Sequence, residues 1–344
     1  MRTLLSICML AASLAILPGA LAQDVLRILA WPGYADPDIV AEFSRRFKVR
    51  VEVSYVVSDG ALFEKIRSNN GADFDVFAVN TAELQRYIDL GLSVPIDLGR
   101  IRHHANQSAR FRDLSAIPAL SRNGKIYAIP YTFSEMGLIY NRKIVKTPPL
   151  SMAALWDPRY RGRVLAYDGS SHNFTIAALL MGVKNPFRLS ERDLSRATKK
   201  LVDLRRNVLT FYGSPEEATK LFRENEIAYM FGNYGMQQVK ELRAAGADVG
   251  YVVPQEGALA WLDCWTVSAG RKSQQLAEAW IDYTLEKNVS QTLTARQGLA
   301  NTITQQSASA GGNGRIIWLE PVENVERRQS LWDRIVSGDG FDNY

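Results

Sequence analysis

The sequence is short of the side chains that carry covalent chemistry. Its 344 residues include two cysteines, Cys8 and Cys264, and three histidines, His103, His104 and His172. Cys8 lies inside an N-terminal apolar run, so Cys264 has no partner for an internal disulfide and reads as a small buried thiol. There is no G-x-S-x-G, no H-E-x-x-H and no cysteine pair, which leaves an exported hydrolase without a nucleophile and its base. The signatures G-x-G-x-x-G and G-x-x-x-x-G-K-[ST] are missing too, so a nucleotide site is not supported. His103-His104 alone is a poor start for a metal site, which wants clustered ligands. No cofactor is implied. Charge of one sign is scarce: 41 Lys+Arg against 36 Asp+Glu give +5 with no basic block, which argues against nucleic acid as a partner.

Long apolar runs are confined to the start of the chain. Met1-Arg2 is a short basic start, Leu4 to Leu17 is apolar, Pro18-Gly19 breaks the run, and Ala20-Leu21-Ala22 follows. That is the layout of a secretory signal peptide, with cleavage expected after Ala22. The run is too short to span a bilayer comfortably, which takes about 20 apolar residues. The mature protein is expected to be exported, periplasmic and held together by its core.

What is present is an alternation of strand and helix patterns. Val25–Ala30 reads as a strand, Asp36-Pro37 as a helix start, 49–55 as a half-buried strand, Ser58-Asp59 as the next helix start, and 74–79 as a buried strand closed by Asn80-Thr81. This order implies a mainly parallel sheet flanked by helices. The pattern turns near Ile129-Pro130-Tyr131, and Gly137–Asn141 reads as another strand. A second unit of the same kind follows, with strands at 164–168 and 227–231 and a helix from about Phe174. The strands at 249–253 and 262–268 come next, then helices around 277–281 and 330–335, while Gly311-Gly312-Asn313-Gly314 reads as a loop.

Ligands of such sheets sit at the carboxyl ends of the strands. Trp31, Tyr34, Phe231, Tyr234 and Trp261 fall at strand ends, near Asp168 and Asp263. Aromatic faces attract a cation and a carboxylate accepts its N–H bonds, so this combination suits an amine. Trp261 and Asp263 are two apart in one strand and share a face, a ring beside an acid.

Several segments together resemble the periplasmic substrate-binding proteins of spermidine/putrescine-type ABC transporters, an extracellular solute-binding family. They are Leu29-Ala30-Trp31-Pro32-Gly33-Tyr34, the stretch 73–80, Tyr127–Tyr131, Leu155–Gly162, and Pro254-Gln255-Glu256-Gly257 with Trp261-Leu262-Asp263. The resemblance implies an α/β, two-lobed periplasmic-binding-protein clamp with the ligand cleft between the lobes. It implies lobe one at 23–131 and 256–308, and lobe two at 132–255, with 309–344 packing on lobe two. Trp31, Tyr34, Asn80, Trp261 and Asp263 would touch the ligand from lobe one; Asp168, Ser171, Ser214 and Phe231 would touch it from lobe two. The implied protein is a monomer without enzymatic activity, and its partners are a small amine and an inner-membrane ABC permease. A thiamine-like or other organic cation is the alternative ligand.

The chain departs from that pattern. Gly169-Ser170-Ser171-His172 stands where polyamine binders have a glutamate, and Ala82 stands where an aromatic is expected. The turn after Phe231 holds Gly232-Asn233-Tyr234-Gly235-Met236 without an acid. A buried unpaired ammonium is costly, so the expectation is a monocationic or zwitterionic amine, with Ser170-Ser171 or His172 receiving any ligand carboxylate. Glu135 is the candidate to replace a lost acid, against the simpler reading of a solvated glutamate.

Overall fold

The computed structural model describes residues 24–117, 119–304 and 316–338. The signal segment and the Gly311–Gly314 stretch lie outside the described residues. The first β-α alternation is β1 (Val25–Ala30), α1 (Pro37–Phe47), β2 (Arg50–Tyr55), α2 (Asp59–Arg67), β3 (Val76–Asn80) and α3 (Thr81–Asp89). The short β4 (Ser93–Val94), one turn of α4 (Ala109–Arg112), β5 (Ser121–Arg122) and β6 (Lys125–Ile126) lead into the long β7 (Ala128–Asn141). Then come β8 (Val164–Tyr167), α5 (Ser170–Leu180), α6 (Glu191–Asn207), β9 (Thr210–Tyr212), α7 (Pro215–Glu224), β10 (Tyr229–Gly232), α8 (Met236–Ala244) and β11 (Val249–Val252). The chain continues with β12 (Ala258–Ser268), α9 (Gln274–Thr284), α10 (Lys287–Gln297), β13 (Ala300–Asn301), β14 (Ile316–Trp318) and α11 (Val325–Ser337).

The strands run in the order β2-β1-β3-β12-β7-β10-β8-β9. β1 is parallel to β2 and β3, and β8 is parallel to β9 and β10, so each end of the sheet is built from β-α units. β7 and β12 enter antiparallel between them. β7 pairs with β12 over Ala128–Met136 and then with β10 and β11 over Gly137–Asn141. One 14-residue strand therefore passes from the first side to the second, where a turn near Ile129-Pro130-Tyr131 and a strand over Gly137–Asn141 alone were expected. Gly137 sits at the changeover because a Cβ there would lie 2.5 Å from the Tyr251 ring and the Val252 carbonyl.

Three bodies of apolar packing lie along this sheet, the third formed by Ile139, Leu165, Tyr212, Phe222, Met230 and Val249. Leu26, Ile28, Phe43, Phe77, Trp265 and Trp280 belong to the first, and Leu138, Val164, Phe174, Leu201, Phe231 and Trp332 to the second. The uninterrupted burial of Val76–Asn80 follows from β3 being covered on both faces. α11 packs on α5 and α6 beside the second body. The class this defines is an α/β two-lobed clamp. Among the described residues no helix is long and apolar enough to cross a membrane.

Candidate functional site

The carboxyl ends of β1, β2 and β3 lie beside one another because the three strands are parallel neighbours, and β12 runs antiparallel against β3. Asp263 stands opposite Asn80 in that ladder. A register shift in the β12–β7 pairing falls between Asp263 and Cys264. Such bulges commonly re-aim a side chain at a functional site. Asp263 is buried, and its Oδ2 accepts a 2.6 Å hydrogen bond from the Tyr34 hydroxyl. Burial pushes its carboxyl up to about 7, with the Tyr34 bond working the other way. Tyr34 is in turn pushed well above its ordinary value by burial and the Asp263 charge, and its ring stands edge-on to Tyr131 and Trp265.

The other residues expected on this side are nearby in the fold. Trp31 leaves β1 partly buried, and its indole N–H makes no hydrogen bond. Asn80 caps α3, its Oδ1 accepting from Ala82 N at 3.0 Å and Glu83 N at 3.1 Å. Trp261 donates its indole N–H to the Asn233 carbonyl at 3.3 Å, which ties β12 to the turn after β10.

Two carboxyls absent from the expected set complete this wall. Asn80 Nδ2 donates to Asp59 Oδ1 at 2.9 Å. Burial pushes Asp59 up to about 8, helped by the charges of Glu83 and Asp263 and opposed by the Asn80 bond. Burial also raises Glu83, with Arg86 opposing. Ser58-Asp59 reads as a helix start and Asn80-Thr81 as the close of a strand, so Asp59 and Glu83 have the look of ordinary helix-start acids.

The facing wall is aromatic. Tyr167 at the end of β8 stands edge-on to Tyr212, Tyr234 and His172, with ring centroids 5.3–5.8 Å apart. Tyr167 and Tyr234 both feel the Asp59 charge, although burial is the larger cause of their raised values. Burial drives His172 down to about 4, so the imidazole is neutral at neutral pH.

The remaining expected contacts have other occupations. Phe231 is fully buried in the second apolar body, because its direction in β10 turns its ring inward. Asp168 is exposed and accepts from the Trp332 indole at 2.7 Å. Ser214 caps α7 by accepting from Glu217 N at 3.2 Å. Ser171 lies in the first turn of α5, which starts at Ser170 rather than near Phe174; its carbonyl accepts from the Thr175 hydroxyl. Glu135 is not solvated. It is fully buried on β7 opposite Ala260, within electrostatic reach of Arg110. Asp36 makes no capping bond and accepts from Arg296 instead.

The cleft thus sets one buried and two half-buried carboxyls against tyrosine and tryptophan rings. An organic cation placed there would favour the ionised acids and gain attraction from the ring faces. Among the described residues no three His, Cys, Asp or Glu converge as a metal would require.

This arrangement is that of a two-lobed solute-binding protein. The chain belongs to the bacterial extracellular solute-binding protein family, whose pattern matches residues 38–312. It is similar to the spermidine/putrescine-binding periplasmic protein 1 of Haemophilus influenzae, 24% identical over 281 residues covering 81% of this chain and 75% of that one. The PotD lipoprotein of Treponema pallidum superposes with a TM-score of 0.78 at 18% identity, covering 91% of this chain and 99% of that one. A solved GABA receptor superposes with a TM-score of 0.70 at 18% identity, covering 93% and 99%.

Proposed function

We propose that this protein is a periplasmic receptor that closes its two lobes on a small organic amine and hands it to an inner-membrane ABC importer, without chemistry. The observation that carries the reading is Asp263, a buried carboxyl raised to about 7 and held by Tyr34 in the same cleft as Trp261. An ammonium gives such a group the counter-charge that burial denies it. The similarity to spermidine/putrescine-binding proteins supports an amine, whereas the GABA receptor shares the fold alone. His172 argues against a zwitterion, because a neutral imidazole offers a ligand carboxylate no charge.

On this reading the ligand lies between 23–131 with 256–308 and 132–255 with 309–344. Trp31, Tyr34, Asn80, Trp261 and Asp263 contact it, and Tyr167 and Tyr234 form the facing rings. Export by a signal cleaved after Ala22 and action as a monomer complete the proposal. Thermal-shift screening of the mature protein against amines, amino acids and thiamine tests it, since a ligand of the native state raises the melting temperature. Stabilisation by amines supports the reading; stabilisation by amino acids or thiamine with no response to amines overturns it.

A further inference from the structure

The C-terminal helix α11 reaches the turn that carries the facing wall of the cleft. Arg328 and Gln329 lie four and three residues before Trp332, so the three border one face of the helix. Each bonds within 168–175. The Trp332 indole donates to Asp168 Oδ1 at 2.7 Å. Gln329 Oε1 accepts from the Ser170 hydroxyl at 2.9 Å. Arg328, fully buried, donates to the Thr175 hydroxyl at 3.1 Å and pairs with Glu323 at 2.7 Å. Trp332 is 1% exposed and meets Phe211 of β9 edge-on, with ring centroids 4.7 Å apart. Asp168 is exposed just past the end of β8, so the packed indole orients the carboxylate and not the reverse.

Asp168 follows Tyr167 directly, and the turn from there into α5 touches both wall side chains. The Asn173 amide donates to the Tyr167 and Gly169 carbonyls at 2.7 and 2.8 Å. A Cβ on Gly169 would lie 2.6 Å from the Tyr167 ring and 2.9 Å from His172 Nδ1, so the backbone itself packs against them. Asn173 holds this turn by its carbonyls, and Trp332 holds it by its one acidic side chain.

We propose that Trp332 is a positioning residue for ligand binding: by holding Asp168 it sets the turn that presents Tyr167 and His172, so that α11 shapes the lobe-two wall of the cleft. The binding consequence rests on the amine-receptor reading above; the placement of Tyr167 does not. Asp168 then serves as an acceptor for the indole, a role that an amide oxygen can also fill, and not as a counter-charge for the ligand. Without the bond the turn samples other positions, and affinity falls with the fraction of molecules whose wall is in place.

The test combines fluorine NMR of the mature protein labelled with 3-fluorotyrosine and calorimetry with 1,4-diaminobutane, 1-aminobutane and spermidine. The Tyr167 resonance is identified by its loss in Tyr167→Phe. Trp332→Phe and Asp168→Ala are expected to shift that resonance in the ligand-free protein and to weaken amine binding by about three- to tenfold. Asp168→Ala alters an exposed side chain, so it carries the test even if Trp332→Phe folds poorly. Asp168→Asn keeps the acceptor and drops the charge; it should keep the resonance and bind within about twofold of the wild type. In a Tyr167→Ala background Trp332→Phe should cost no further affinity, whereas a merely structural role would cost the same in both backgrounds. An unmoved Tyr167 resonance in Trp332→Phe and Asp168→Ala overturns the proposal, as does an equal cost in the two backgrounds. Asp168→Asn losing as much affinity as Asp168→Ala overturns it too, because the carboxylate would then act on the ligand by its charge. A wild type that binds none of the three amines overturns the receptor reading, and the resonance alone then decides whether Trp332 places Tyr167.

Discussion

The Tyr34 hydroxyl donates to Asp263 Oδ2 at 2.6 Å, joining the turn after β1 to the middle of β12 across 229 residues. The bond holds the carboxyl in one orientation while leaving its other oxygen for a ligand. Asp263→Asn keeps the shape and removes the charge. Losing one partner of a buried charged pair costs about 2–5 kcal/mol, so amine binding should weaken by about 30-fold or more. Tyr34→Phe removes a smaller term, about 0.5–1.5 kcal/mol. It also lets Asp263 rise further, since the Tyr34 bond is what lowers it. The pH at which binding reaches half its maximum should therefore move upward in Tyr34→Phe. Calorimetry across pH reads both effects, and wild-type affinity in Asp263→Asn would refute the assignment.

The pH dependence has a definite sign. Asp59 and Asp263 are raised to about 8 and about 7 from an ordinary 3.8. The native protein holds these protons where the unfolded chain has released them. Their contribution to stability is complete below the unfolded value and is lost as pH rises through about 7 to 8. His172 and His104 are lowered by burial, so they oppose this trend below about pH 6.5. The clean window lies above that. The ligand-free melting temperature should fall from about pH 6.5 to 8.5, and Asp59→Asn should flatten the fall. Amine affinity should rise over the same window.

The parts legible in the sequence were those fixed by strand position. Asp263, Tyr34 and Asn80 were found because parallel strands end on one side of a sheet, and the structure brings these three together. Phe231 shared that position but not that direction: its ring points into the core. Asp59 and Glu83 were hidden because an acid in a helix's first turn is explained by the helix alone. The start of α5 was missed since Gly169 occupies the N-cap without a side-chain bond, leaving Ser170-Ser171-His172 to read as a turn. The first half of β7 was read as a turn and only Gly137–Asn141 as strand, since Pro130 and Gly137 resemble breakers. Here Gln107 bonds the Pro130 carbonyl, and Gly137 makes room for Tyr251.

Asp75 supports the first sheet from below. It is 1% exposed and accepts from the Arg27 backbone at 2.8 Å, the Arg27 side chain at 2.9 and 3.0 Å, and Lys272 N at 2.6 Å. Burial alone would raise its carboxyl, but Arg27 and these N–H groups outweigh it and hold the group below its ordinary value. Asp75→Ala leaves two backbone donors without their acceptor and the partly buried guanidinium with the Ala72 carbonyl alone. Breaking such a pair costs about 3–5 kcal/mol. Denaturant unfolding should show a lower midpoint with an unchanged slope, and a loss below about 1 kcal/mol would show that water replaces the carboxylate.

Closure across the cleft has a contact of its own away from the ligand. Lys240 of α8 donates from Nζ to the Ala295 carbonyl at 2.9 Å and also to that of Arg296, at the C-terminal end of α10. A cation at a helix C-terminus is worth about 0.3–1 kcal/mol and is screened by salt. The contact joins the second side of the molecule to the first, so it exists when the lobes are together and adds to the closed state. Lys240→Met should weaken amine binding about two- to fivefold, through faster release, with Asp263 untouched. The difference between variant and wild type should shrink as salt is raised. Small-angle scattering should show the wild type more compact with saturating amine than without it, and Lys240→Met more open at partial saturation. Stopped-flow tryptophan fluorescence from Trp31 and Trp261 would give the release rate. An unchanged rate at low salt would mean that Lys240 caps α10 without contributing to closure.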